Sequence, residues 1–236
     1  VHVACRQEDE FRLRADALKA AITPRTKLVI MPFPNNPTGA VMEREDLEAV
    51  AEVLRDIYDG MYEIDCTQDY EALAVERLRQ YHTIILTAAQ WDLRASRRSV
   101  AALLQYTVSG GTILAIGDFL KNEGWYELDC LFAKRWIGGS TPCLLDLSAD
   151  GRHPVTAGTE PFKLVEYTNF YELDPILQPQ IALHLNYAGK QYPAAWCHGY
   201  GWGKVMCITV GNIPESYLPQ LRRILWRCGE WFLNRL

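Results

Sequence analysis

Three groupings of residues in this chain could do chemistry. His153 and Glu166 offer an imidazole and a carboxylate, the combination that moves a proton at a hydroxyl group or holds a metal ion. Gly117-Asp118, and Gly211-Asn212 with Glu215 close behind, each follow a strand-like run, where open α/β sheets take up small molecules. Pro34 to Gly39 reads PNNPTG, a turn that sets Asn35 and Asn36 between a strand-like run and an amphipathic helix. Trp125, Tyr126, Tyr167 and Trp196 have faces that could stack on a sugar ring, although such residues more often fill a core. For His153 the plain alternative is a histidine hydrogen-bonded in a turn before Pro154.

Other patterns carry less. His184 alternates with apolar neighbours and His198 precedes a glycine-rich turn, so neither has ligand spacing with His153, and no metal site is expected. Gly199, Gly201 and Gly203 lack the strand-before, helix-after context of a dinucleotide loop and predict a tight turn between strands. The seven cysteines are odd in number, widely spaced and often set in apolar runs, which favours buried thiols over disulfides or metal ligands.

The elements that must position these groups alternate in type. Lys27 to Phe33 predicts a buried strand, and Glu43 to Arg55 a helix with Leu47, Val50, Ala51 and Leu54 on one face. Further strands are predicted at 62–66, 82–87, 112–116, 143–147, 163–167, 180–185, 193–197 and 204–209. Helices are predicted at 15–22, around Tyr70 to Leu78, at 99–108 and over 215–236, and irregular structure with one short helix over 117–139. Such alternation predicts an α/β fold, a three-layer α/β/α sandwich around a mostly parallel sheet. No Gly, Ser or Pro tract separates the helix at 43–55 from the strand at 62–66, so a single domain over 1–236 is expected.

Composition narrows the partners. Of 236 residues, 49% are hydrophobic and 22% charged, which suits a packed globular core. A formal charge of -5 without basic runs argues against nucleic acid or an anionic membrane surface, and no apolar stretch is long enough to span a bilayer. A cytoplasmic protein with a small-molecule ligand is expected, and a homo-oligomer is compatible with the sequence.

Two family resemblances meet in one chain. PNNPTG with its flanking strand and helix resembles the large domain of fold-type-I pyridoxal-phosphate aminotransferases, in which the residue matching Asn36 bonds the cofactor's phenolic oxygen. Asp56-Ile57-Tyr58-Asp59-Gly60-Met61 is similar to that family's aspartate motif with its Glu lost. No lysine motif for the Schiff base follows among Lys121, Lys134, Lys163, Lys190 and Lys204, so Asn36 reads as a motif remnant and no cofactor is expected.

From about residue 62 the chain resembles ThuA-like (trehalose utilisation) proteins of the class I glutamine-amidotransferase-like superfamily, which implies a flavodoxin-like sheet. The resemblance rests on His153-Pro154-Val155-Thr156, Glu166 to Tyr171, Pro193-Ala194-Ala195-Trp196, Gly201-Trp202-Gly203-Lys204-Val205 and Val210-Gly211-Asn212. It departs from that family at Gly117 and Asn212, where the family often carries His. The amidotransferase nucleophile is also missing, since the turn Ala115 to Phe119 holds no Cys, and glutaminase activity is excluded. The resemblances imply residues 1–24 as an appendage, 25–60 as an aminotransferase-like strand, loop and helix completing the sheet, and 62–236 as the ThuA-like portion. They further imply a protein that binds or acts on a carbohydrate-derived molecule. The alternatives are a non-catalytic module for a ligand or protein, and an inactive chimera containing an aminotransferase fragment.

Overall fold

The computed structural model describes residues 3, 5–22, 65, 67, 69–87, 96–121, 124–149 and 151–236, and the chain divides into two compact units, Val1–Asp69 and Tyr70–Leu236. In the first unit, helix α1 (Ala15–Ala21) falls where a helix is expected and buries Leu18, with Leu13 buried just before it. The Arg14 Nε donates to Asp9 Oδ1 at 2.9 Å across the preceding turn. The strand at 27–33, the PNNPTG turn, the helix at 43–55 and, apart from Asp65, the strand at 62–66 lie outside the described residues.

The second unit is built on a seven-stranded sheet of β1 (Thr83–Leu86), β2 (Thr112–Ile116), β4 (Cys143–Ser148), β5 (Phe162–Glu166), β7 (Gln180–Tyr187), β8 (Lys190–Tyr200) and β9 (Gly203–Ile208). Its order is β1-β2-β9-β8-β7-β4-β5, and β3 (Lys134–Gly139) pairs antiparallel with β6 (Asn169–Leu173) in a separate ribbon. The expected mostly parallel sheet is corrected here. Among the described residues only β1 with β2 and β2 with β9 run parallel, and the pairs from β9 through β8, β7 and β4 to β5 are antiparallel.

The reason lies in the turns. Ala188 and Gly189 both take positive φ, 49° and 75°, giving the two-residue turn whose twist suits a hairpin between β7 and β8. Gly201, at φ 61°, begins a second tight turn between β8 and β9, as the GYGWG string predicts. That hairpin nests against the end of helix α3 (Arg97–Val108): a Cβ on Gly201 would sit 2.6 Å from Val108 Cα, and Trp202 N donates to Val108 O at 3.0 Å. Helix α3 itself stops in a Schellman motif, with Gly111 N donating to Tyr106 O and Gly110 N to Thr107 O, both at 3.0 Å.

Burial follows the pairing. All five residues of β2 are buried, as a strand covered on both faces requires, whereas β5 alternates buried and exposed along its length. Helices α2 (Val75–Leu78) and α4 (Tyr126–Leu131) accompany α3, and α5 (Pro219–Phe232) closes the chain with Pro at its first turn. The core gathers Leu103, Ile113, Phe119, Phe132, Tyr171 and Trp196. The last carbonyls of α4, which have no partner in the helix, are taken by side chains of β8: Trp196 Nε1 donates to Phe132 O at 2.8 Å, and His198 Nε2 donates to Leu131 O at 2.9 Å. No helix among the described residues is long and apolar enough to cross a membrane.

Candidate ligand site at the mouth of the sheet

The parallel strands β2 and β9 end side by side, Ile116 against Ile208, and the two segments leaving these strand ends form the mouth. After β2 the chain enters a 3-10 turn, Gly117–Leu120, and after β9 it runs through Thr209, Val210, Gly211 and Asn212. The Asn212 side chain joins the two ends. Its Oδ1 accepts from Asp118 N at 2.7 Å, and its Nδ2 donates to Glu166 Oε1 at 2.5 Å and to Tyr167 O at 3.3 Å. Gly117 has φ +62°, and a Cβ there would fall inside the envelope of Asn212 Oδ1, so only glycine permits this closure. The two departures from the ThuA-like motif pattern are therefore one packing arrangement.

Glu166 holds the second strand end. Its Oε2 accepts from Gly211 N at 2.9 Å, while Oε1 also accepts from Asn212 N at 3.3 Å. Burial pushes the Glu166 pKa up, opposed by these donors. Tyr217 OH donates to Gly211 O at 2.7 Å and braces the same turn; burial raises its pKa to about 12, so it stays a donor.

Asp118 is the group the mouth presents. Tyr167 OH donates to its Oδ2 at 2.7 Å and Asn169 Nδ2 to its Oδ1 at 2.9 Å. Burial first, then the neighbouring Asp118 carboxylate, push the Tyr167 pKa upward and keep its phenol protonated. The Asn169 Oδ1 accepts from Trp136 Nε1 at 3.0 Å, and the Lys121 ammonium lies 5.0 Å from the Trp136 ring centre. Trp136, Asn169 and Lys121 are not among the candidate site residues that the sequence suggests. The ribbon of β3 and β6 that brings them together falls partly in the stretch where irregular structure is expected.

Other candidates sit elsewhere. His153 is buried in the layer between β8 and α5: Nδ1 accepts from Val155 N at 3.2 Å, Nε2 lies 3.1 Å from Cys197 Sγ, and the ring packs at 5.4 Å on Trp231. Accepting at Nδ1 fixes the neutral tautomer with its proton on Nε2, facing the thiol. Trp125 lines a cavity of about 220 Å³ with Arg97, Val100, Leu104 and Glu127. Trp196 is fully buried and Tyr126 projects into solvent. Glu215 is exposed in a 3-10 turn beyond Asn212, and Asn35 and Asn36 lie outside the described residues. Among the described residues no group of three His, Cys, Asp or Glu side chains could hold a metal ion.

Comparison with known proteins separates the two parts. Residues 1–88 match the family model of aminotransferase class I and II. The aromatic-amino-acid aminotransferase 2 of Thermococcus litoralis is 48% identical over 52 residues, which is 22% of this chain and 13% of that enzyme, so the chain spans about an eighth of its length. In fold, the chain is similar to ThuA-like proteins of Bacteroides uniformis (TM-score 0.61, 17% identity, 78% of this chain and 82% of that one) and Parabacteroides merdae (TM-score 0.56, 16% identity, 80% and 85%). At such identities the likeness is one of fold. An aminotransferase-like start joined to a ThuA-like fold is thus seen as the motifs imply. The aminotransferase match runs on to residue 88, past the boundary expected near residue 60, and takes in β1, which packs in the second unit.

Proposed function

We propose that the unit Tyr70–Leu236 is a ThuA-like domain that binds a carbohydrate-derived small molecule at the mouth of its sheet, without glutaminase activity. The observation that carries this reading is the Asp118 carboxylate, fixed by Tyr167 and Asn169 beside the ends of β2 and β9. Two of its acceptor positions are filled from within, and the rest suit ligand hydroxyls. Gly117 and Asn212 form the floor, and Glu166 positions the Gly211-Asn212 turn through bonds that use both of its oxygens. Binding is the better supported role than catalysis. The imidazole of His153 is committed beneath α5, and every polar atom of the Asn212 side chain is engaged at the floor.

The aminotransferase match raises a second reading, an inactive chimera carrying a remnant of a pyridoxal-phosphate enzyme. The lysines of the unit Tyr70–Leu236 do not fit a Schiff-base role. Lys134 is paired with Asp129, Lys121 lies over Trp136, Lys163 faces Asp146 at 3.8 Å, Lys204 bonds Asn234 at 2.6 Å, and Lys190 opens a hairpin strand. We therefore read the chain as using no cofactor, in keeping with Asn36 as a remnant. A cytoplasmic setting, a small-molecule partner and a homo-oligomeric state belong to the same proposal.

Thermal unfolding of the whole chain with a panel of neutral mono- and disaccharides tests it. A ligand at a hundred times its Kd adds about 2.7 kcal/mol to stability. At least one sugar should raise the midpoint in the natural chain and not in Asp118→Ala. No shift across the panel, together with a pyridoxal-phosphate absorbance band lost on lysine substitution, would favour the chimera instead.

A further inference from the structure

Resting on the reading of the mouth as a sugar site, we infer that Trp136 is the platform on which the ring of a neutral ligand stacks while adjacent hydroxyls of that ring donate to Asp118. The tryptophan is 40% exposed, whereas Trp196 on the neighbouring sheet is fully buried. A register shift between Trp136 and Gly138 interrupts the pairing of β3 with β6, an irregularity that commonly re-aims a side chain beside a site.

What ties the exposed indole to the carboxylate is Asn169, itself buried. Its carboxamide has one allowed orientation. The indole N–H can only donate and therefore faces Oδ1 at 3.0 Å; the carboxylate can only accept and therefore faces Nδ2 at 2.9 Å. The aromatic plane and the carboxylate are held at a fixed spacing by one rigid amide. Hydrophobic C–H faces and vicinal hydroxyl donors at such a spacing are what a pyranose ring carries.

Charge at the site gives an ionised ligand no net advantage. The Asp118 carboxylate and the Lys121 ammonium, 5.0 Å from the indole centre, are of opposite sign, so each ligand charge meets one attraction and one repulsion and still loses its hydration on entering. A neutral polyol avoids that desolvation cost.

Isothermal titration of the whole chain with neutral methyl glycosides, glucuronate and glucosamine tests the inference, using the natural protein, Asp118→Asn, Trp136→Phe and Trp136→Ala. The neutral glycoside bound best by the natural protein should bind about tenfold more weakly to Trp136→Ala and within about threefold to Trp136→Phe, which keeps an aromatic face. Glucuronate and glucosamine should bind more weakly than that glycoside. Near-ultraviolet circular dichroism verifies that each variant is folded. If the glycoside binds the natural protein and is lost with Asp118→Asn but keeps its Kd in Trp136→Ala, the platform is overturned and the mouth survives as the site. Tighter binding of either charged sugar overturns the neutral-ligand assignment. If no glycoside binds the natural protein, the reading of the mouth fails and the platform with it.

Discussion

Replacing Gly117 by Ala should reveal the closure of the mouth as an energetic coupling. Alanine at φ +62° meets the steric penalty of the left-handed region, about 1–2 kcal/mol. Its methyl group also displaces Asn212 Oδ1, which breaks the bond from Asp118 N and disturbs the bond to Glu166. Each buried group left without a partner costs about 1–3 kcal/mol. The sum for Gly117→Ala is about 3–6 kcal/mol. Asn212→Ala loses the same bonds without the backbone penalty, about 2–4 kcal/mol. In the double variant the small side chain at 212 removes the collision, and the bonds can be lost only once. Its destabilisation should then be about 3–6 kcal/mol, leaving a coupling of about 3 kcal/mol between positions 117 and 212. Urea unfolding of the whole chain, followed by near-ultraviolet circular dichroism, measures all four forms. Additivity within about 0.5 kcal/mol would refute the claim that Asn212 is what forbids a side chain at 117.

Further perturbations probe separate parts of the molecule. Glu166 has a pKa raised by burial, so the folded state binds its proton more tightly than the unfolded state. Its contribution to stability is full below the unfolded value, near 4.5, and is lost as pH rises through the folded one. Glu166→Gln should remove that decline from the stability-pH profile, and an identical slope in both proteins would contradict it. His153→Ala should lower stability by about 1–3 kcal/mol through its bonds to Val155 and Cys197 yet leave sugar affinity unchanged, which titration of the folded variant checks. Gly203→Ala should destabilise the hairpin by about 1–3 kcal/mol, because a Cβ there collides with backbone carbonyls of Gly111 and Thr107; an unchanged thermal midpoint would count against that packing. Burial pushes up the thiols of Cys197, Cys207 and Cys228, the first to about 11, so a thiol reagent at pH 8 should leave all three unmodified in the folded chain and label them after unfolding, as read by peptide mass.

Much of the fold is written locally. The runs at 112–116, 143–147, 180–185 and 204–209 become strands within a residue or two, because each is an apolar or alternating segment bounded by turn residues. Helix α3 is legible from its periodic face and its Gly110-Gly111 stop. The segment around Tyr70 to Leu78 is less regular than its pattern predicts, splitting into a 3-10 turn and the single turn of α2. Strand direction is the larger miss, since it depends on how hairpin turns order the later strands, and a buried antiparallel strand reads like a parallel one. Strands β3 and β6 escape for another reason: Lys134-Arg135 and Glu172 interrupt the apolar pattern, and their pairing with Asp129 and with each other forms only on folding. In the site, Asp118, Tyr167, Asn212 and Gly117 are legible from their places after strands. Asn169 and Trp136 are not, because nothing in sequence spacing signals a side-chain strut between a ribbon and a sheet.

Hydrogen exchange of the whole chain, with and without a saturating neutral glycoside, tests most directly whether the mouth is the site. Protection should rise in peptides covering 117–121, 134–139, 166–169 and 209–217, with the core of β7 and β8 unchanged. Protection confined to the cavity lined by Arg97, Trp125 and Glu127, or to residues 1–69, would contradict a ligand site at the mouth.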